Sequence, residues 1–324
     1  HNSCEHVGRC IKSVSKSTLI PSEIIIVDDF SVSDESKKCK IILKKFKKLK
    51  IKYFKLKKNI GPGGARNYGV KKSLYNKIFF IDSDTEVLKN TFSIFKKNIN
   101  KYDAVVGVYD LEPINKTLPA LYKTTFYSFL YKKKITKYDH FSASCSGIKK
   151  KCYIKSGGYD PFFKKGLDFE NEEFGYRISS KFSMILNKNM KVRHFFPSFL
   201  KMSFLFFVRT QFWMEMFLVR KKFSSTATSS NTALNLIYSP FILIFIVALL
   251  YYKTKLFLIA FLFTSALHIN AFKSFYFYHF KKNLLNSFIM FFISNFYNLI
   301  ILTGSLVGFF KFYLNLSKIK RKFN

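Results

Sequence analysis

The chain has 324 residues, and 55 Lys and Arg against 19 Asp and Glu give it a formal net charge of +36 at pH 7. A chain of this length can bury a sizeable core without disulfides. This charge lies far outside the near-neutral balance of an ordinary soluble enzyme. It favours an anionic partner such as nucleic acid, anionic lipid or a phosphorylated substrate. A general richness in Lys, Ile, Asn, Phe and Tyr accounts for part of the excess. The five cysteines include no Cys-x-x-Cys pair, which indicates reduced thiols and argues against a disulfide or zinc framework.

Short apolar runs in the first 195 residues predict β-strands that alternate with Lys-rich crossover helices. The runs are residues 23–28, 51–56, 77–82 and 104–109. Two of them are almost continuously apolar and end in acids, as in strands buried on both faces of a parallel sheet. Ligands bind at the carboxyl edge of such sheets. We therefore expect one crevice lined by Asp28, Asp29, Asp82 and Asp84.

Long apolar runs follow Phe195. Residues 199–219 predict an amphipathic helix at a membrane interface, although a helix packed on a soluble core has the same pattern. Candidate membrane spans are residues 234–252, 256–272 and 287–310, of which the second is short and is alternatively half of a re-entrant hairpin. The positive-inside rule places the Lys-rich first half in the cytoplasm and also draws the tail at 318–322 inward, so two to four spans remain open.

These features predict four regions: a catalytic domain at 1–195, an interfacial helix with a polar linker at 196–230, a transmembrane region at 231–313 and a basic tail at 314–324. The expected location is the cell (inner) membrane, multi-pass, with the catalytic domain in the cytoplasm. Nucleic acid is not an expected partner, because the aromatic residues cluster in apolar runs and not among the basic residues.

The sharpest motif is Asp82-Ser83-Asp84, which follows a buried strand. Two carboxylates on a tight turn can present oxygen atoms to one hard cation such as Mg²⁺ or Mn²⁺, which would neutralise a departing nucleotide diphosphate. Acids are common in loops after strands, so this motif alone is weak. Its neighbours strengthen it.

Two further segments contain residues of the kind that bind a nucleotide. A carboxylate at Asp28 or Asp29 can accept hydrogen bonds from a base or a ribose. The segment from Gly61 to Gly64 predicts a flexible loop that leads into a helix with Arg66 in its first turn. Such a loop and helix start favour a diphosphate, while a simple loop and cap is the alternative.

In order along the chain, VDDFS, GPGGARN, FIDSD, SGGYD and DFENEEFGYRI resemble the motifs of the family-2 glycosyltransferases. The resemblance covers nearly all of residues 1–195. It implies an α/β catalytic domain of GT-A type with a mostly parallel central sheet, inverting transfer, a nucleotide-diphosphate sugar donor, and Mg²⁺ or Mn²⁺ as the cofactor. With the C-terminal transmembrane helices, it implies a lipid-linked or membrane-proximal glycan acceptor in envelope polysaccharide synthesis.

Carried over residue by residue, the resemblance implies roles for six positions. Asp28 and Asp29 contact the nucleoside, Gly64 and Arg66 help to hold the nucleotide, and Asp82 and Asp84 serve the diphosphate and the metal, with Asp84 the preferred ligand.

The catalytic base is the main departure from the family pattern, because Asn171 stands where the family usually places an Asp. Asn cannot accept a proton at neutral pH. Glu170 is therefore the expected base, followed by Glu172 or Glu173. The alternative is a solvated helix in which Glu173 pairs with Arg177, four residues further on.

Other departures leave alternatives open. The strand that begins the family pattern is missing before His1, so a truncated sequence is expected, and Gln211 is not followed by the Arg-Trp pair of processive synthases. A catalytically impaired membrane protein that retains the fold and a processive polysaccharide synthase remain alternatives. His194 is given no role, although it could approach the diphosphate.

Overall fold

The computed structural model describes residues 3–130, 138–163, 169–223 and 230–323. The chain divides into two compact units. Unit 1 comprises His1–Lys116 with Tyr131–Phe196, and unit 2 comprises Thr117–Leu130 with Pro197–Asn324. The boundary at Phe196 lies next to the predicted end of the catalytic domain, but the sequence did not predict that residues 117–130 belong to the second unit.

The first part of the chain alternates helices and strands, as predicted. In chain order they are α1 Cys4–Ser15, β1 Ile24–Asp28, α2 Ser33–Lys44, β2 Ile51–Lys55, α3 Gly61–Lys72, β3 Lys77–Phe80, β4 Thr85–Val87, α4 Thr91–Ile99, β5 Ala104–Tyr109, α5 Leu118–Leu130, β6 Ser146–Lys149, α6 Lys150–Lys155, α7 Glu170–Ser179 and β7 Met184–His194. All belong to unit 1 except α5, which belongs to unit 2. The α/β class is confirmed.

The strands form two sheets. β1 and β2 pair in parallel, and the larger sheet has the order β3-β6-β5-β7-β4. In the larger sheet only β5 and β7 pair in parallel, whereas the other three pairings are antiparallel. The expectation of a mostly parallel sheet is therefore wrong in this detail, because the short strands β4 and β6 run against their neighbours.

The core of unit 1 lies on both faces of β5. Val106 and Val108 pack into one apolar cluster, and Val105 packs into another. Alternate side chains of a strand point to opposite faces, so β5 is covered on both sides. Residues of β1 and β3 line a mostly apolar cavity of about 580 Å³ between the two sheets.

All five cysteines are free and buried. Burial, together with the nearby carboxylates of Asp84 and Asp82, raises the pKa of the Cys10 thiol to about 12. A thiol with so high a pKa is a poor nucleophile and metal ligand. These cysteines therefore pack as small core residues.

Unit 2 is helical. Besides α5 it contains α8 Phe199–Arg220, α9 Ser230–Tyr252, α10 Lys255–Ala271, α11 Lys273–Lys282, α12 Leu284–Tyr313 and α13 Lys318–Phe323. Three helices among the described residues are long and apolar enough to cross a membrane: Phe199–Arg220, Thr232–Tyr252 and Leu284–Tyr313. The pair α10 and α11, bent by 95°, is a fourth candidate as a broken span or a re-entrant loop. Because α8 also meets the requirement for a span, its interfacial position stays a prediction.

Candidate functional site

The predicted metal-binding acids lie beside His194, which the sequence placed near the diphosphate without giving it a role. Ligand atoms of Asp82, Asp84 and His194 all lie within 4.8 Å of one another. The antiparallel pairing of β4 with β7 places Thr85 opposite His194, and the backbone N–H of Phe195 donates to the carbonyl oxygen of Asp84 at 2.9 Å. The sheet register therefore fixes the imidazole next to Asp84.

The electrostatics of this cluster favour a positive ion. Burial and the neighbouring Asp82 carboxylate raise the pKa of Asp84, against the opposing effect of His194. The His194 Nε2 atom lies 3.5 Å from the Asp84 carboxylate, and its buried Nδ1 atom has no hydrogen-bond partner within the described part of the chain. Two carboxylates and an imidazole are a ligand set that a divalent cation such as Mn²⁺ accepts.

Arg66 connects this cluster to the expected catalytic helix. Its guanidinium donates to Asp82 at 2.9 Å and to Glu170 at 3.4 Å, and it lies over the ring of Tyr159, 5.2 Å from the centroid. Despite burial, these two carboxylates and Tyr159 raise the pKa of Arg66. The residue predicted to hold a nucleotide thus bridges two acids.

A cavity of about 660 Å³ opens beside Arg66, and its lining includes Asp28, Asp29, Asp82 and Ser83. Three of the four acids expected in one crevice therefore share it. Asp84 is not among the described lining residues and lies instead with His194. A cavity of this size and polarity suits a small-molecule ligand.

The two acids predicted to contact a nucleoside already hold backbone and side-chain partners. The carboxylate of Asp28 accepts hydrogen bonds from Ser31 N–H, Ser36 Oγ and Tyr53 Oη. Burial would raise the pKa of Asp28, but hydrogen bonds from the side chains of Ser31, Ser36 and Tyr53 and from the Ser31 backbone bring it down to about 2. Each bond prefers the charged form, so Asp28 holds the end of β1 in place beside the cavity.

The Asp29 carboxylate lies at the start of helix α3. Its two carboxylate oxygens accept the N–H groups of Ile60 and Gly61 at 2.8 and 2.9 Å. α3 therefore begins at Gly61, so the glycine-rich segment is helical and not a loop, and Arg66 lies in the second turn. A Cβ atom on Gly64 would come within 2.9 Å of the Ile60 side chain, so this glycine permits close packing and is not one of the described cavity-lining residues.

Asn67, one residue after Arg66, was missed by the sequence analysis. Its side chain donates to the carbonyl of Tyr159 at 2.8 Å and accepts the Tyr159 N–H at 2.8 Å and the Tyr153 hydroxyl at 2.5 Å. These bonds tie α3 to the Gly157-Gly158 turn. Its place within the GPGGARN motif was the only available signal.

Among the acids of α7, Glu173 forms an ion pair that holds neighbouring backbone in place. Its carboxylate accepts both Nε and Nη2 of Arg177, and Arg177 donates in turn to the carbonyls of Ser156 and Gly158. This is the i,i+4 ion pair that the sequence offered as the alternative. Glu173 therefore orients Arg177, which joins α7 to the Gly157-Gly158 turn. Asp168, at the start of the same motif, lies outside the described residues.

Glu170 and Glu172 have different environments. Glu170 is buried, faces Arg66 and accepts a hydrogen bond from Asn171 at 3.3 Å. Glu172 is half-buried, with an oxygen 3.7 Å from Nδ1 of His140. The Asn171 side-chain oxygen accepts the hydroxyl of Tyr159 at 3.1 Å. The residue at the position of the family's usual base thus holds Tyr159 and Glu170.

The fold and these motifs define the class of protein. Residues 1–157 match the model described as "Glycosyl transferase family 2", and this part of the chain belongs to that family. A solved structure of the mannosyltransferase PcManGT from Pyrobaculum calidifontis, in complex with GDP-Man and Mn²⁺, superimposes with a TM-score of 0.57 at 10% identity, covering 98% of this chain and 86% of that one. The expected GT-A fold is confirmed.

Two curated proteins are more similar in sequence. The poly(ribitol-phosphate) beta-N-acetylglucosaminyltransferase TarP of Staphylococcus aureus is 34% identical over 125 residues, which cover 36% of this chain and 37% of TarP. The UDP-Gal:alpha-D-GlcNAc-diphosphoundecaprenol beta-1,3-galactosyltransferase of Escherichia coli is 27% identical over 160 residues, which cover 47% of this chain and 56% of that enzyme. The chain thus spans 37% of the length of TarP and 56% of the length of the galactosyltransferase.

Proposed function

We propose that this chain is a membrane-anchored, metal-dependent, inverting glycosyltransferase. It moves a sugar from a nucleotide-diphosphate donor to a lipid-linked or membrane-proximal acceptor in envelope glycan synthesis. The carrying observation is that the family's Asp-x-Asp acids meet His194 at the edge of a cavity that also presents Asp28, Asp29 and Arg66. The names of TarP and of the E. coli galactosyltransferase support an envelope glycan, and the diphosphoundecaprenol of the latter supports a lipid-linked acceptor.

Asp84, Asp82 and His194 would hold the metal, with Mn²⁺ favoured over Mg²⁺ because one ligand is an imidazole. When bound, such an ion neutralises charge on the departing diphosphate. Asp28 and Asp29 line the space for the nucleoside. Arg66, already held between two acids, would donate to a phosphate oxygen as a planar, permanently charged group.

Glu170 is the proposed general base, with Glu172 the second candidate. Glu170 is linked to Asp82 through Arg66, which keeps its carboxylate next to the metal-binding cluster. A carboxylate oxygen of Glu170 would accept the proton of the acceptor hydroxyl. The hydroxyl oxygen would attack the anomeric carbon of the sugar from the face opposite the diphosphate, and the nucleotide diphosphate would leave as that bond breaks. Glu173 is the weakest of the three candidates, because Arg177 occupies both of its oxygens.

The test measures nucleotide diphosphate release from a panel of UDP- and GDP-sugars by the full chain in membranes, with Mn²⁺, Mg²⁺ or EDTA and with polyprenyl-linked acceptors. Cation binding is measured separately from the electron paramagnetic resonance of free Mn²⁺. The variants are Asp84→Ala, His194→Ala, Glu170→Gln and Glu172→Gln. The control is Asp34→Asn, a change at an exposed residue of α2.

Cation-dependent release that falls at least about 100-fold in Asp84→Ala, together with weaker Mn²⁺ binding in that variant and in His194→Ala, supports the proposal. Loss of nucleotide diphosphate release in Glu172→Gln but not in Glu170→Gln would make Glu172 the base. Release that is undiminished by EDTA would overturn the metal dependence. No release from any donor would overturn the transferase and favour an impaired protein.

A further inference from the structure

Seven basic residues lie at one end of unit 2. Arg220 ends α8, Lys221 and Lys222 follow it, and Lys318, Lys320, Arg321 and Lys322 belong to α13. We call these seven residues the basic end. They come from segments about 100 residues apart in the sequence, so the fold brings them together.

α8 and α12 run side by side in the same direction. The contacts follow the chain direction of both helices. The ring of Phe206 lies 4.9 Å from that of Tyr297, and further along both helices the Lys311 ammonium donates to the Gln211 side chain at 2.6 Å. Between these contacts the helices approach closely, because a Cβ atom on Gly308 would come within 2.5 Å of the Gln211 carbonyl oxygen. The C-terminal ends of α8 and α12 therefore lie together.

α13 is fixed to α8 by a buried polar contact. The Ser317 hydroxyl donates to the Glu215 carboxylate at 2.7 Å, and both side chains are buried. The same hydroxyl accepts the backbone N–H of Lys320 at 2.9 Å, while Ile319 is fully buried. The basic residues of α13 are thus held at the end of α8.

The basic end has little negative charge to balance it. Glu215 is the only acidic residue in the sequence of unit 2, and it is buried against Ser317. Lys222, Lys318 and Arg321 are exposed. Exposed charges of one sign repel one another unless an external partner neutralises them.

Exposed apolar and aromatic residues accompany the basic end. Leu314 and Leu316, which lie between α12 and α13, are more than half exposed. On α8, the Trp213 ring stacks on Phe217 and on Phe223 at 5.5 and 6.2 Å between centroids. Basic side chains, exposed leucines and stacked aromatic rings together suit the boundary between lipid headgroups and acyl chains, whereas free phosphate would use the charges alone.

We propose that the basic end binds the headgroups of anionic phospholipids. The phosphate groups supply the negative charge that unit 2 lacks, and the exposed leucines enter the acyl region. This inference rests on the proposed membrane location of unit 2 and not on the proposed reaction.

The test uses Trp213, the only tryptophan of the chain, whose fluorescence reports on α8 next to the basic end. The purified full chain in neutral detergent is titrated with short-chain phosphatidylglycerol or phosphatidylcholine. The test variant is Lys318→Gln with Arg321→Gln. The matched control is Lys253→Gln with Lys255→Gln, two exposed lysines at the turn between α9 and α10.

We expect saturable binding of phosphatidylglycerol but not of phosphatidylcholine, and about 10- to 30-fold weaker binding in the test variant, since each basic residue near a lipid surface contributes about 1 kcal/mol. The control variant should bind like the unchanged chain. Equal responses to the two lipids, or equal losses in both variants, would overturn the proposal.

Alkaline carbonate extraction of membranes containing each variant separates this proposal from the one on which it rests. A chain that stays in the membrane but does not prefer the anionic lipid contradicts the lipid site alone. A chain that is released contradicts the membrane location.

Discussion

Replacing Glu173 by Ala should destabilise unit 1 and leave its chemistry largely intact. The buried carboxylate receives two hydrogen bonds from Arg177, which also holds the carbonyls of Ser156 and Gly158. Removing one partner of a buried ion pair costs about 3–5 kcal/mol. Because the Arg177 side chain is 32% exposed, water can replace part of the lost interaction, and about 2–3 kcal/mol is expected.

Unit 1 has about 180 residues, for which 1 kcal/mol corresponds to about 2–4 °C in Tm, so Glu173→Ala should lower the Tm by about 5–10 °C. Differential scanning fluorimetry in one detergent measures this, and nucleotide release below the Tm measures activity. Glu173→Gln should lower the Tm by less than Glu173→Ala does. The double mutant Glu173→Ala with Arg177→Ala should lower the Tm by less than the sum of the two single changes. An unchanged Tm with a kcat reduced about 1000-fold would refute the structural role and make Glu173 the base.

Three further changes test other contacts in the two units. Asp28→Asn should reduce the free energy of unfolding at pH 7 by about 2 kcal/mol; because the pKa of Asp28 is lowered to about 2 on folding, the difference should shrink between about pH 4 and pH 2 in urea titrations. Asn67→Ala removes the two bonds to the Tyr159 backbone and should cost about 2–3 kcal/mol by the same measurement, with Asn67→Asp intermediate because it keeps an acceptor. Gly308→Ala places a Cβ atom against the Gln211 backbone and should cost about 1–3 kcal/mol, seen as a lower Tm of the chain in detergent; a variant as stable as the unchanged chain would contradict the close packing.

Much of the fold could be predicted because several of its strands are short apolar runs, two of which lead into acids. β1, β2, β3 and β5 lie within two residues of their predicted bounds. β4 has only three residues, and β7 contains several polar residues, so neither shows a clear strand pattern. Because β4 and β6 form the antiparallel pairings, the mixture of parallel and antiparallel strands could not be predicted from the sequence.

The site was predictable where it depends on local motifs and unpredictable where it depends on distant pairing. The Asp82 and Asp84 carboxylates follow from one tripeptide, and the Glu173–Arg177 pair follows from helical spacing. The neighbour His194 comes from a strand that meets β4 only through the sheet register. Likewise, the ion pair of Arg66 with Glu170 joins helices far apart in the chain, which no periodicity reports.

The cavity between β1 and β3 lies between the two sheets of unit 1. Each of these strands pairs on one side within the described residues, and residues of both strands line the cavity. An extended segment in this space could pair with both strands and would join the two sheets into one. The stability of β1 and β3 therefore depends on what pairs with these two strand edges.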